Sequence, residues 1–273
     1  MSSILALEIV IVISTLSILS YKLRILDLYG TLLAASIGGI VYLTVGRIGI
    51  ILLTVFVVVA GIFTKLGYDR KSLVGAAEPR KGLRGWRNVL GNGLVAAAAA
   101  VVYTLAPQHS EIILSGYIGA IAAVFADTMA TEIGLLQKRD PILIIGLRRV
   151  KPGTPGGVSL LGYMGALFSA VILVAAYLFL VGSNPLAPHI VGPAVISASL
   201  VGTTVDSVIG QLLQGLYRCE ACGKITELST HCGRMGKLIK GYRLIDNHTV
   251  NIICSLSGAV VGATITLLFY STV

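Results

Sequence analysis

Long apolar runs, at about 3–20, 29–46, 48–64, 89–105, 112–134, 158–181, 190–213 and 249–271, alternate with shorter polar segments along the chain. Each run approaches the roughly 20 residues that a helix needs to cross a hydrocarbon layer. None alternates apolar and polar positions as a half-buried strand does. Backbone groups in lipid have to be hydrogen-bonded within the spanning structure, so the runs predict helices. Only Gly46 and Arg47 part the second run from the third. The first run has no basic segment before it and ends in Leu19-Ser20-Tyr21-Lys22. It therefore predicts a span rather than a cleaved leader. The expected fold is all-α: a polytopic integral membrane protein of about eight transmembrane helices. A single membrane domain is expected over 1–273, with main loops at about 65–88, 135–157 and 214–248, all too short for an independent core.

Charge sharpens this reading. Twenty of the 21 Lys and Arg lie in those three loops and in the loop 21–28, whereas the loops 106–111 and 182–189 hold none. Under the positive-inside rule the basic loops are cytoplasmic and both termini lie outside. The net charge of +9 belongs to these membrane boundaries, so it does not argue for nucleic-acid binding. Only 12% of residues are charged, roughly half of what a soluble domain carries, and the mean hydropathy is +0.89. A cell-membrane protein with a working face toward the cytoplasm is expected.

Against this background, polar side chains inside spans stand out, because ionisable groups there are costly and mark functional sites by default. The fifth run contains Asp127, Thr128, Thr131 and Glu132, with Asp127 in its cytoplasmic half. Asp127 and Glu132, five residues apart, point about 140° apart on a straight helix, so either the helix distorts or they serve different partners. The seventh run holds Thr203, Thr204, Asp206 and Ser207. A short echo links the two runs, since Asp127-Thr128 and Asp206-Ser207 each precede a Leu-Leu-Gln. Asn247 and Asn251 fall on one face at the start of the eighth run, and Asn92 stands at the start of the fourth. Carboxylate oxygens suit Mg²⁺, which keeps waters and substrate phosphates as its other ligands. Asp127, Glu132 and Asp206 are the candidates for it, and with Asn251 they are the candidate catalytic residues.

The loops add cations and glycines. Arg148, Arg149 and Lys151 precede a turn containing Gly153, Thr154, Gly156 and Gly157, which leads through Ser159 into the sixth run. Free N–H groups at a helix start, next to cations, form a ready anion site. No Gly-Lys-Ser/Thr follows, so this is not a Walker A loop. Arg84 and Arg87 have forks suited to phosphate oxygens, although anionic lipid headgroups would explain them equally. Cys219-x₂-Cys222 followed by His231-Cys232 has the ligand types of a structural zinc site. Cysteines without metal and a disulfide are the other readings. Adjacent His231 and Cys232 can both bind only if the backbone turns there.

Four motifs in order, Ala-Asp-Thr-x-Ala-Thr-Glu-Ile-Gly, Pro-Gly-Thr-x-Gly-Gly-Val-Ser, Asp-Ser-x-x-Gly and Asp-Asn-x-x-Val-Asn, resemble the integral-membrane family that includes the plant phytyl-phosphate kinase, over about residues 30–270. The resemblance implies transfer of the γ-phosphoryl group of a nucleotide, usually CTP, to a polyprenyl monophosphate within the lipid bilayer. Carried over by position, it implicates Asp127, Thr128 and Glu132; Gly153, Thr154, Gly156, Gly157 and Ser159; Asp206 and Ser207; and Asn247 and Asn251. His248 stands where that pattern leads one to expect an acidic or amide residue, and the third motif here ends Ile-Gly-Gln. A phosphate acceptor is already ionised, so positioning and charge neutralisation suffice, and the chain offers carboxylates, amides, glycines and cations. A lipid-phosphate cytidylyltransferase would use the same parts. An ion-coupled transporter would place its polar groups nearer the bilayer midplane.

Overall fold

The computed structural model describes residues 3–73, 79–180 and 186–271. In chain order the helices are α1 (Ser3–Lys22), α2 (Leu28–Thr44), α3 (Arg47–Lys65), the short α4 (Tyr68–Leu73) and α5 (Pro79–Gly82), α6 (Trp86–Leu105), α7 (Ser110–Gly134), α8 (Leu160–Leu180), α9 (Pro188–Leu212) and α10 (Asn247–Ser271). Each apolar run has become one long helix. Seven of the eight are long and apolar enough to cross a membrane. The eighth, α2, has 17 residues and is about 26 Å long, the lower edge of the spanning range. Gly46, at φ 81, makes the turn between α2 and α3.

The chain is a polytopic helical membrane protein, with strands only in its loops. These are β1 (Ile142–Leu143), β2 (Gly157–Val158), β3 (Leu216–Arg218), β4 (Ile225–Thr226), β5 (Thr230–His231), β6 (Arg234–Met235) and β7 (Lys237–Lys240). β1 pairs with β2; β4, β3 and β7 form an antiparallel sheet in that order; β5 pairs with β6. An all-α expectation missed them because strands of two to four residues leave almost no periodic signal.

α7 is the central helix. It is buried without a break from Leu114 to Ala126, as a helix apolar all round must be. Packing between helices in lipid depends on close backbone approach, which small residues allow. A Cβ at Gly119 would lie 2.3 Å from the Gly258 carbonyl oxygen, and one at Gly258 would lie 2.4 Å from that of Gly119. The Ser115 hydroxyl donates to the Gly262 carbonyl at 2.8 Å, and the Ser255 hydroxyl to that of Ala120 at 3.2 Å. These contacts clamp α10 on α7; α9 packs against both, and α6 against α7 and α10. α1 has no buried residue and lies at the periphery beside α2.

Cross-links gather the basic loops at one end of the bundle. Leu26 bridges Arg84, Arg87 pairs with Asp246, and Gln214 bridges Tyr242. The opposite end holds Arg47, the one basic residue outside the four loops. Its guanidinium forms a salt bridge with Glu8 at 2.8 Å, and the Tyr42 hydroxyl donates to the same carboxylate at 2.5 Å.

Candidate functional site

Helix direction explains how the polar residues meet. α6 and α10 start at the basic end and carry Asn92 and Asn251 within their first two turns. α7 and α9 finish there and carry Asp127 and Asp206 within their last two or three turns. Up-running helices thus contribute amides, down-running ones carboxylates, and all four reach a similar depth.

The Asp127 and Asp206 carboxyl groups lie within hydrogen-bonding reach of each other. Four ion pairs occur among the described residues, and neither aspartate belongs to one. Asp206 Oδ2 and the hydroxyl of Thr203, one turn earlier, are buried without a hydrogen-bond partner. Opposed carboxyls, an orphaned carboxylate oxygen and an orphaned hydroxyl form an all-oxygen donor set that fits a hard divalent cation. The amides complete the neighbourhood. Asn251 Nδ2 donates to Asn92 Oδ1 at 3.2 Å, and Asn92 Nδ2 donates to the Asn88 carbonyl and Oδ1, each at 2.9 Å. Cys254, one turn beyond Asn251, is fully buried and near enough to both aspartates to feel their charge.

Glu132 does not join this group. The Lys71 ammonium donates to its carboxylate at 2.5 Å and to the Phe63 carbonyl at 2.7 Å, with the Lys71 side chain 1% exposed. Among the described residues the only metal-sized cluster of three or more His, Cys, Asp or Glu is the cysteine cluster. Of the three magnesium candidates, Asp127 and Asp206 come together while Glu132 pairs with Lys71, so on α7 the two carboxylates serve different partners, one of the two alternatives left open by their spacing. Nothing in the sequence set Lys71 apart from the other cations of its loop.

The glycine-rich turn sits against the aspartate helix. Gly156, at φ 81, packs so closely on α9 that a Cβ there would lie 2.4 Å from Gln211 Cβ and 2.6 Å from the Ser207 carbonyl oxygen. Ser207 directly follows Asp206 on that helix, and Gln211 lies one turn beyond Ser207. The Gln211 side chain, missed in the sequence, fixes the loop: Ile145 N donates to its Oε1 at 3.0 Å and its Nε2 donates to the Ile145 carbonyl at 2.7 Å. Arg148, Arg149 and Lys151 are exposed around the turn, and Gly153 adopts φ 78 within it. The Thr154 hydroxyl donates to the Lys151 carbonyl at 2.7 Å. Gly157 pairs with Leu143 in the β1–β2 ladder.

Several expected binding residues have local duties. The Ser159 hydroxyl accepts from Gly162 N at 3.0 Å and caps α8. The Thr128 hydroxyl donates to Val124 O at 2.8 Å within α7. Arg84 donates to the Thr64 hydroxyl at 3.0 Å and Arg87 to Asp246 at 2.7 Å, while Asp246 caps α10 by accepting from Thr249 N at 2.9 Å. Asn247 is exposed in the first turn of α10, whereas Asn251 is buried. The shared face expected for them therefore divides between solvent and core.

Outside the bundle, one donor atom from each of Cys219, Cys222, His231 and Cys232 lies within 4.8 Å of the others. Hydrogen bonding with His231 holds the Cys219 thiol down at about 6. Hydrogen bonding with Cys222 pushes Cys232 up to about 11.

The family model described as "Integral membrane protein DUF92" matches residues 11–259. The chain is 30% identical over 270 residues to Protein PGR of Arabidopsis thaliana, covering 90% of this chain and 91% of that protein. It is 26% identical over 258 residues to an uncharacterized membrane protein of Methanocaldococcus jannaschii, covering 94% of this chain and 92% of that one. It is 27% identical over 188 residues to Protein VTE6, chloroplastic, of Arabidopsis thaliana, covering 68% of this chain and 55% of that protein. No solved structure matches the chain. With the family model matched over most of its length, the chain belongs to the DUF92 family of integral membrane proteins.

Proposed function

We propose that the chain is a membrane-embedded kinase that transfers the γ-phosphoryl group of a nucleoside triphosphate, CTP by family resemblance, to a polyprenyl monophosphate such as phytyl or geranylgeranyl phosphate. The observation that carries this reading is the pair of opposed carboxylates, Asp127 and Asp206, without a cationic partner and beside a glycine turn seated on α9. Asp127 and Asp206, with Thr203 one turn away, would hold Mg²⁺, which would supply charge neutralisation for phosphoryl transfer.

The remaining work falls to this chain's own residues. In the turn 152–157 the Gly153 and Gly156 N–H groups would serve phosphate, since Pro152 and Pro155 carry none and the Thr154 and Gly157 N–H groups donate within the turn, and Arg148, Arg149 and Lys151 supply positive charge around it. Asn92 and Asn251 present amide groups that orient without adding charge. An oxygen of the prenyl phosphate attacks the γ-phosphorus, the bond to the β-phosphate oxygen breaks, and CDP leaves. The prenyl diphosphate remains with its hydrocarbon tail in the bilayer. No general base is needed, because the attacking phosphate is already ionised.

The test is a product assay on detergent-purified protein with Mg²⁺, γ-labelled or α-labelled CTP, and geranylgeranyl or phytyl monophosphate. Label transferred to lipid from the γ position, with release of CDP, supports the kinase. Release of pyrophosphate with label transferred from the α position would replace it by cytidylyl transfer. No nucleotide consumption with either lipid would sink both.

A further inference from the structure

The 214–246 loop contains two hairpins that point their tips at one another. In the first, β3 and β4 pair through Tyr217↔Thr226 and Arg218↔Ile225, and the tip carries Cys219 and Cys222. It closes with Cys219 N donating to the Lys224 carbonyl at 2.9 Å and Gly223 N to the Cys219 carbonyl at 2.8 Å. In the second, β5 and β6 pair through His231↔Arg234, and the tip is Cys232-Gly233. Cys232 has φ 54 and Gly233 φ 72, so the backbone turns sharply enough for adjacent His231 and Cys232 to face the same point.

The spacings among Cys222, His231 and Cys232 approach those of a tetrahedral centre, and the Cys219 donor lies within 4.8 Å of all three. Zn–S bonds of about 2.3 Å put two sulfurs about 3.8 Å apart, and Zn–N bonds of about 2.0–2.1 Å put sulfur and nitrogen about 3.5 Å apart. Cys232 Sγ lies 3.8 Å from Cys222 Sγ, and Cys222 Sγ lies 3.5 Å from His231 Nδ1. Cys232 Sγ to His231 Nδ1 is 3.2 Å. All four cysteines of the chain are free thiols, so no disulfide competes. We propose that Cys219, Cys222, His231 and Cys232 bind one structural zinc ion that joins the two hairpins into a ribbon across the ends of α9 and α10.

Its placement gives it a purpose beyond the loop. Gly215 N donates to the Ile245 carbonyl at 2.9 Å, and Tyr242 N donates to the Leu213 carbonyl at 3.0 Å, stitching the base of the ribbon between the two helices. The Gln214 side chain donates to Glu227 at 2.6 Å, tying the end of α9 to the turn between the hairpins. The helices so joined carry Asp206 and Asn251. Metal binding to such a loop is itself folding free energy, so the ion would fix their relative position. This proposal rests on the ligand geometry, and it stands or falls independently of the kinase reading.

The full-length protein, purified in detergent without chelator, should contain about one zinc per chain by elemental analysis. X-ray absorption at the zinc edge should show three sulfurs and one nitrogen. Cys222→Ser and Cys232→Ser should each lose most of the metal and melt at lower temperature. Where a variant fails to fold, wild-type protein stripped with chelator and reloaded with Co²⁺ supplies the second readout, a thiolate-to-cobalt absorption band. Wild-type protein that holds less than a tenth of an equivalent of zinc and takes up no cobalt overturns the proposal. So does a Cys219–Cys222 disulfide found by thiol counting.

Discussion

At the scale of single residues, the carboxylates inside the spans fall into two classes that make opposite predictions. Asp127 and Asp206 lie close to one another and neither belongs to an ion pair, which is the basis for proposing them as metal ligands. Asp127→Asn and Asp206→Asn are expected to lower phosphoryl transfer by at least about 10²-fold, the loss typical of removing one group that stabilises transition-state charge, and to leave the protein folded. Each variant replaces an ionisable group inside a span with a neutral amide of the same shape, so the melting temperature should hold or rise. Near-normal turnover of both variants at ordinary Mg²⁺ would remove the metal assignment. Glu132 carries the reverse expectation. Its partner Lys71 is buried, and breaking a buried pair from one side strands a charge at a cost of about 3–5 kcal/mol. Glu132→Gln should therefore destabilise strongly, and adding Lys71→Met should recover much of the loss. A double variant no more stable than the single one would show that the pair is not a closed unit. Sequence made Asp127, Glu132 and Asp206 equally conspicuous, because a carboxylate in an apolar run is costly wherever it points. What separates them is the partner. Lys71 lies 61 positions from Glu132 in a loop crowded with cations, so no local pattern could announce it.

At the scale of elements, the helices were legible and their connections were not. The long runs set eight helices to within a few residues because burial in lipid leaves the backbone one solution. Loop structure depends on single contacts that pattern does not encode. Gly156 is one: its positive φ and the nearness of Ser207 and Gln211 leave no room for a side chain. Gly156→Val should push the 152–157 turn away from α9. The expected result is a KM for nucleotide raised by tenfold or more, with the melting temperature little changed, since the turn lies outside the core. Gln211→Ala should act in the same direction but more weakly, because it removes two hydrogen bonds without adding a clash. An unchanged KM in both variants would mean that the turn does not receive the nucleotide. The strands around Cys219 and Cys232 were illegible for a related reason. They are two or three residues long, and the chain crossing their tips is organised by the four donor atoms rather than by apolar periodicity.

At the scale of the whole molecule, direction and depth become the argument. Eight helices running alternately place amides at the starts of α6 and α10 and carboxylates at the ends of α7 and α9, so four polar layers converge only if the helix count between them is right. Asn92 and Asn251, 159 positions apart, meet in a hydrogen bond on that condition. The positive-inside rule then gives the site a side: the loops joining these helix ends hold nearly all of the Lys and Arg. The turn at 152–157 should face the cytoplasm, and residues near Gln108, between α6 and α7, should face outward. A cysteine at position 153 should resist a membrane-impermeant thiol reagent in sealed right-side-out vesicles and react once the vesicles are opened. A cysteine at position 108 should react in both. Native Cys219, Cys222 and Cys232 lie at the same end as position 153, so they should add no external signal. External labelling at 153 would invert the protein in the membrane and put the proposed nucleotide site where no cytosolic nucleotide can reach it.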